Sequence, residues 1–247
     1  MFCIIIPAYR AGALIGHCVE SLKQQYTRDF RAVIIDDASD DDTLHQARNA
    51  IQDDNRFALF QASENSGPLA SRVAGIKQIS PRPTDIIALV DGDDYLLRKD
   101  SLSIVQETYR RTGCWITYGS FLASSRREIM PHVGKRYPSS VIANSAYRQH
   151  GWLASHLKTF YYGLWSKVSE QHLRQADGRY WKFATDLAIM FPMLEMAGPK
   201  QEAISDLIYG YRDNLNTNEH VLYPEEQKRD DALIRQLPKY SLIESLL

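Results

Sequence analysis

Ile86-Ile87-Ala88-Leu89-Val90-Asp91-Gly92-Asp93-Asp94 decides both the fold class and where chemistry should be sought. Its apolar half is short and unbroken by polar side chains, as expected of a strand buried on both faces of a sheet. It stops abruptly in three carboxylates. Like charges gathered at the end of a buried strand repel one another, and a divalent cation would relieve that repulsion. Mg²⁺ or Mn²⁺ takes oxygen ligands, with one or two carboxylates completed by substrate phosphates and water, and Gly92 would let the backbone turn closely around the ion. Asp-Gly is also a common turn dipeptide, so a solvated turn is the alternative.

The same alternation extends outward on both sides. Phe2-Cys3-Ile4-Ile5-Ile6 is an apolar run stopped by Pro7, followed by Leu14, Cys18 and Leu22 at helical spacing through Gln25. Ala32-Val33-Ile34-Ile35 ends in Asp36-Asp37, and a polar turn with Ser39 and Asp40 as caps opens a helix over Thr43 to Ile51. A strand over Phe57 to Phe60 precedes Asn65-Ser66-Gly67-Pro68, whose proline suits a first helical turn, and then a helix carrying Leu69, Val73 and Ile76. Beyond the acids the pattern predicts a helix over Ser101 to Arg110 and a strand over Cys114 to Tyr118. Past Gly119 regularity fades into a segment rich in aromatics and His. It resumes as a helix over Thr185 to Met196, which Pro192 should kink or interrupt, and another over Pro224 to Leu237. Strands alternating with amphipathic helices predict an α/β domain with a mainly parallel sheet, whose ligands bind beyond the carboxyl ends of the strands. With no repeat or linker, the second half reads as built onto the first in a single domain.

Composition narrows the function classes. The chain has 247 residues, 44% hydrophobic and 24% charged, with a net charge of -1, so it has no global basic field with which to hold a nucleic acid. Cys3, Cys18 and Cys114 are odd in number, widely spaced and set in apolar stretches, which suggests buried thiols in a reducing compartment rather than disulfides or a zinc site. A chain that enters a strand at Phe2 without a charged leader, and has no apolar run near the ~20 residues of a spanning helix, is expected in the cytoplasm. Leu242, Ile243, Leu246 and Leu247 would allow peripheral docking on a membrane, or would pack against the domain or a second subunit.

Candidate site residues gather at the same sheet edge. Tyr9, leaving the first strand in Pro7-Ala8-Tyr9, could stack on a base or pack inside. Asp36 to Asp42 lacks the sixth-position Gly and twelfth-position Glu of an EF-hand, so a nucleoside-binding carboxylate is the better reading for its start and helix capping for Asp40 to Asp42. Arg72 could reach a nucleotide or its pyrophosphate, or be solvated.

Together, Pro7-Ala8-Tyr9, Asp36-Asp37-Ala38-Ser39, Asn65-Ser66-Gly67 with Arg72 and Gly75-Ile76, and Asp91-Gly92-Asp93-Asp94 resemble, in order and spacing, the inverting glycosyltransferase family 2. The match runs from Phe2 to about Tyr118, with Val73 where Asn usually follows the arginine. The resemblance implies a GT-A fold, with residues 1–120 binding a nucleotide-sugar, commonly a UDP-sugar, and residues 121–247 supplying the acceptor site and catalytic base. It implies donor binding by Pro7, Ala8, Tyr9, Asp37, Arg72, Asp91, Gly92 and Arg212, Tyr9 and Asp37 holding the base. It further implies Mn²⁺ or Mg²⁺ at Asp91, Asp93 and Asp94. His220, beside Asn214, Asn216 and Asn218, would bind metal or phosphate, or be solvated. Asp186 in Phe183-Ala184-Thr185-Asp186 stands where the family places its base, with Thr185 in place of the usual Glu; either residue could instead cap the helix. His156 to Trp165 resembles acceptor-side segments whose aromatics stack on sugars, although core packing explains Phe160, Leu164 and Trp165 equally well. The acceptor would be a glycan, a lipid-linked sugar or a protein. A nucleotidyltransferase would want a glycine-rich loop after the first strand, where only Gly12 and Gly16 occur. A binding module without turnover has no need of the acids at 91, 93, 94 and 186.

Overall fold

Each apolar run becomes a strand because both of its faces find cover. In the computed structural model, which describes residues 1–124, 128–129, 133–213 and 222–246, the first half runs β1 (Phe2–Ala8), α1 (Ile15–Lys23), β2 (Phe30–Asp36), α2 (Thr43–Ile51), β3 (Phe57–Gln61), α3 (Pro68–Ile79), β4 (Ile86–Leu89), β5 (Tyr95–Leu96), α4 (Ser101–Thr112) and β6 (Ile116–Gly119). The second adds β7 (Leu122–Ala123), β8 (Glu128–Ile129), α5 (Ser139–Ala143), β9 (Ser155–Tyr161), α6 (Tyr162–Trp165), α7 (Thr185–Ala197), β10 (Gln201–Ile204), β11 (Tyr209–Tyr211) and α8 (Pro224–Gln236). Along β1, Cys3 and Ile5 pack with Leu69, Val73 and Ile76 of α3, while Phe2, Ile4 and Ile6 pack with Ile15, Cys18 and Leu22 of α1. Full burial of one such side chain contributes roughly 1.5–3 kcal/mol, which is why a continuous apolar run is stable only between two layers. The three cysteines are buried free thiols.

The main sheet has the order β10-β6-β9-β4-β1-β2-β3. β1, β2, β3 and β4 are parallel, as are β6 and β10, but β9 runs antiparallel between β4 and β6. β9 lies in the stretch where hydrophobic periodicity fades. Its Ser155, His156, Lys158 and Thr159 are buried, and Thr159 shares its hydroxyl hydrogen bonds with Thr117 and Tyr109 at 2.6 and 3.0 Å. A strand whose polar side chains find partners inside the core lacks the apolar signature that marks the others. Phe160, Leu164 and Trp165 belong to the core, the packing reading of that stretch.

In α7, Pro192 does not interrupt the helix, which runs unbroken from Thr185 to Ala197. Every residue from Leu187 to Ala197 is buried, and that packing outweighs the cost of about 3 kcal/mol for an internal proline. At the C-terminus Tyr240, Ile243 and Leu246 pack against the core, and the Ile243 N–H donates to the Met196 carbonyl at 3.1 Å. Packing against the domain therefore accounts for the apolar tail, although Leu242 is 62% exposed and Leu247 lies outside the described residues. Among the described residues no helix is long and apolar enough to cross a membrane.

Successive strands leave β1 in opposite directions, β2 and β3 to one side and β4 to the other. The crevice at their carboxyl ends is where such a sheet binds ligands. A second sheet, β5-β11-β7-β8, brings β11 against the acidic turn.

Candidate active site

The acidic turn after β4 is held by β1 and β11. The Gly92 N–H donates to the Pro7 carbonyl at 2.9 Å, and the Asp37 N–H to the Ala8 carbonyl at 2.8 Å, so Pro7 and Ala8 tie the ends of β2 and β4 together through their backbones. A Cβ on Gly92 would lie 2.9 Å from the Ala8 Cβ and 3.0 Å from the Pro7 carbonyl. Gly92→Ala must therefore push the turn off β1. It should cost about 1–3 kcal/mol by overpacking, read as a fall in Tm of several degrees in thermal unfolding; an unchanged Tm would show that the turn has room to move.

The three acids are not equivalent. Asp94 is fully buried and both its oxygens are engaged, by the Tyr209 hydroxyl at 2.9 Å and the Arg212 N–H at 2.8 Å. Burial, with Asp93 and Asp91 nearby, pushes its carboxyl well above the usual range. Burial also pushes Asp91 up, but the Arg72 guanidinium at 2.7 Å reverses this and leaves it below its ordinary value. Burial and the Asp91 carboxylate push Asp93 up to about 6. No other described residue is hydrogen-bonded or ion-paired to the Asp93 carboxylate. Among the described residues no cluster of three or more His, Cys, Asp or Glu side chains is placed to hold a metal. The donor set thus fits an ion held by one or two carboxylates, Asp93 foremost, with its other ligands from diphosphate and water.

Across the crevice Asp186 occupies the first turn of α7. Neither it nor Thr185 caps that helix: the N-cap is Ala184, with φ of 50° and no side-chain cap bond. The backbone N–H groups of Phe183 and Ala184 are taken instead by Asp230 and Gln227 of α8, at 3.4 and 3.1 Å. Thr185 and Asp186 face Arg72, which donates to Thr185 Oγ1 at 2.8 Å and lies 3.6 Å from Asp186 Oδ1. Arg72, 4% exposed, is spent on Asp91, Thr185 and Asp186. On the far side Lys158 of β9 meets Asp186 Oδ2 at 2.6 Å. Burial would raise the Asp186 carboxyl, but Lys158 and Arg72 more than reverse this and hold it well below the usual carboxylate range. Beside Lys158, His156 stacks on Tyr209 with ring centroids 4.6 Å apart, and burial together with the Lys158 charge lowers it to about 3.

Just past β1, Tyr9 is 42% exposed, with the Arg10 guanidinium 5.2 Å from its ring centre, so it is no buried packing residue. Asp37 is buried and accepts from the Ser66 and Gly67 N–H groups at 3.0 and 2.8 Å. It braces the turn before α3, where Gly67 has φ of 88°, a conformation that favours glycine. Of the predicted caps, Asp41 serves the start of α2, its Oδ1 accepting the Thr43 N–H at 3.0 Å, while Asp40 pairs with Arg10 and Ser39 accepts the Arg10 N–H. Arg212 donates to the Asp93 carbonyl, contacts His17 Nδ1 and lies over the Tyr95 ring. His220 and Asn214, Asn216 and Asn218 lie outside the described residues.

His156 and Lys158 lie in the stretch that resembles acceptor-side segments, and Tyr209 in the stretch that leads to Arg212, but the sequence alone assigns none of the three a role of its own. The local signal for the first two was the period-2 placement of His156 and Lys158, which sets both on one face of a strand.

A family model described as Glycosyl transferase family 2 matches residues 3–171. The teichoic acid poly(glycerol phosphate) polymerase of Staphylococcus epidermidis is 34% identical over 94 residues, 38% of this chain and 13% of that protein. S. aureus TarS 1–349 in complex with UDP-GlcNAc has a TM-score of 0.70 to this chain at 19% identity, over 94% of this chain and 65% of that one. The mannosyltransferase PcManGT from Pyrobaculum calidifontis, in complex with GDP-Man and Mn²⁺, has a TM-score of 0.59 at 16% identity, over 90% of this chain and 59% of that one. The chain thus spans less than two thirds of each of these proteins, and the structural likeness is one of fold.

Proposed function

This chain is a member of glycosyl transferase family 2 with the GT-A fold, and we propose that it transfers a sugar from a uridine diphosphate donor to an acceptor hydroxyl with inversion at the anomeric carbon. The observation that carries this reading is the row of alternating charge across the crevice, Asp91, Arg72, Asp186 and Lys158, with contacts of 2.7, 3.6 and 2.6 Å. It puts a cluster of acids suited to a metal-bound diphosphate on one side of a buried guanidinium and an ionised carboxylate on the other. The uridine choice rests on the family resemblance and on the UDP-GlcNAc bound by TarS. The acceptor is a glycan, a lipid-linked sugar or a protein hydroxyl.

Asp186 takes the proton from the acceptor hydroxyl as that oxygen forms its bond to the anomeric carbon. The bond from that carbon to the donor phosphate breaks on the opposite face, and its electron pair leaves with the nucleoside diphosphate. Asp186 then returns its proton to solvent. Tyr9 offers its exposed ring to the base, Asp37 acts by shaping the turn before α3, and Arg212, with His220, balances charge near the leaving diphosphate. A Mn²⁺ or Mg²⁺ ion held through Asp93 and Asp91 would supply Lewis-acid stabilisation of that charge. Asp94, with both oxygens occupied, holds β11 to the turn.

Calorimetry of UDP binding, with and without Mn²⁺, on wild type and Asp93→Ala tests this. Binding is expected to require Mn²⁺ and to weaken by about tenfold or more in Asp93→Ala, the loss of one carboxylate ligand. Because protons compete with the cation for Asp93, binding should also weaken as pH falls through about 6. Equal UDP binding with and without Mn²⁺ would remove the metal from this reading.

A further inference from the structure

Lys158 has 0% exposure on a central strand of the sheet, flanked by β4 and β6. Burying an ammonium costs several kcal/mol unless a partner and further hydrogen bonds compensate it. Its partners here are Asp186 Oδ2 at 2.6 Å and the His156 ring nitrogens at 3.3 and 3.5 Å. His156 is neutral at working pH and accepts from the ammonium without adding charge. The other Asp186 oxygen, Oδ1, lies 3.6 Å from Arg72, beyond hydrogen-bond reach, and the Asp186 side chain keeps 27% of its surface exposed.

Resting on the reading of Asp186 as the base, we propose that Lys158 is its positioning residue, tying Oδ2 to the sheet so that Oδ1 is the oxygen that takes the acceptor's proton. A carboxylate with two free torsions would otherwise turn between Arg72 and solvent, and proton transfer needs the accepting oxygen fixed within hydrogen-bond reach. The groups facing Asp186 are Lys158 and His156 from β9, Arg72 from α3 and, farther off, Asp91 from the turn after β4. Lys158 and Arg72 together keep the base ionised throughout the pH range in which Asp93 governs metal and donor binding.

The test compares wild type, Lys158→Met, Lys158→Arg and Asp186→Asn. One measurement is UDP release from UDP-GlcNAc, with water as acceptor, as a function of pH; the other is a ¹³C NMR titration of the aspartate carboxyls in EDTA. Lys158→Met should lower kcat by about 10- to 100-fold with KM within about twofold, as expected when an aligned proton acceptor loses its alignment. The Asp186 titration should move up by about one pH unit or more, whereas Lys158→Arg should retain most of the rate. A folded Lys158→Met protein with unchanged kcat and unchanged Asp186 titration overturns the proposal. So does one that merely melts earlier while its Asp186 titration stays put. If UDP-GlcNAc is not turned over, the titration alone decides, and an unmoved Asp186 overturns it. Asp186→Asn separates the two readings: if it keeps releasing UDP, the base assignment fails, whereas an inactive Asp186→Asn beside an unaffected Lys158→Met sinks only the role of Lys158.

Discussion

Asp186→Asn is expected to lower sugar transfer by about 10²–10⁴-fold, the range a positioned general base contributes, while Mn²⁺-dependent UDP binding changes by no more than a few-fold. Asn keeps the size of the side chain but cannot take a proton, and the acids of the donor side stay paired with Arg72 through Asp91. The same change strips buried Lys158 of its carboxylate partner. Because the charge left behind is the fully buried Lys158 ammonium, with the Asn Oδ1 as a neutral acceptor in place of the carboxylate, the stability cost should be about 2–4 kcal/mol. Adding Lys158→Met to Asp186→Asn should then restore much of the lost stability and none of the rate, since the two residues form one ion pair but only one of them accepts the proton. An Asp186→Asn enzyme with near-normal transfer would end the base assignment, whatever its stability.

Why some of this was legible and some not follows from where each interaction is made. β1, β2 and β4 announce themselves because both faces of each strand meet apolar cover, and the acids end β4 just where the strand order around β1 opens the crevice. β9 is as central as β4, yet it carries a buried lysine, histidine, serine and threonine whose compensation comes from other elements. Asp186 lies 28 residues from Lys158, and Tyr209 lies 115 from Asp94; local pattern cannot report contacts at that separation. Asp186 itself was visible only through resemblance, because an acid in the first turn of a helix has a capping role as its local explanation. What removes the cap reading is position: Ala184 is the N-cap, Thr185 and Asp186 lie inside the helix, and no side chain makes a cap bond there. The division of labour among the three acids was likewise hidden, since Asp94 differs from Asp93 only through the partners β11 brings to it.

Arg72→Met should be the most disruptive single change in the crevice, and its effect should depend on pH in a definite direction. The guanidinium is buried between Asp91 at 2.7 Å, Thr185 at 2.8 Å and Asp186 at 3.6 Å. Methionine nearly fills the space but supplies no charge. Breaking a buried pair by removing one partner costs about 3–5 kcal/mol, eased slightly here because the buried Arg72 Nε has no hydrogen-bond partner to lose. For a chain of this length that is a fall in Tm of roughly 10 °C at neutral pH. In the wild type both Asp91 and Asp186 are held below their ordinary values. Each therefore contributes stability that is present above its unfolded pKa and lost as pH falls through its folded one. Without Arg72 the desolvation of Asp91 goes unopposed on that side, and its carboxyl should rise above its ordinary value. The variant is then penalised most where Asp91 must stay ionised, and the penalty fades as pH falls toward the carboxylate range and Asp91 takes up a proton. Thermal unfolding of both proteins from pH 8 to pH 5 should show the Tm gap narrowing with acid. A gap that stays constant would mean that Arg72 acts through packing and its Thr185 hydrogen bond, and that charge between the two sides of the crevice is balanced elsewhere. Arg72→Lys sharpens the distinction, because one ammonium keeps the charge but cannot span Asp91 and Thr185 together as the guanidinium fork does; it should recover the pH dependence of stability while leaving transfer impaired.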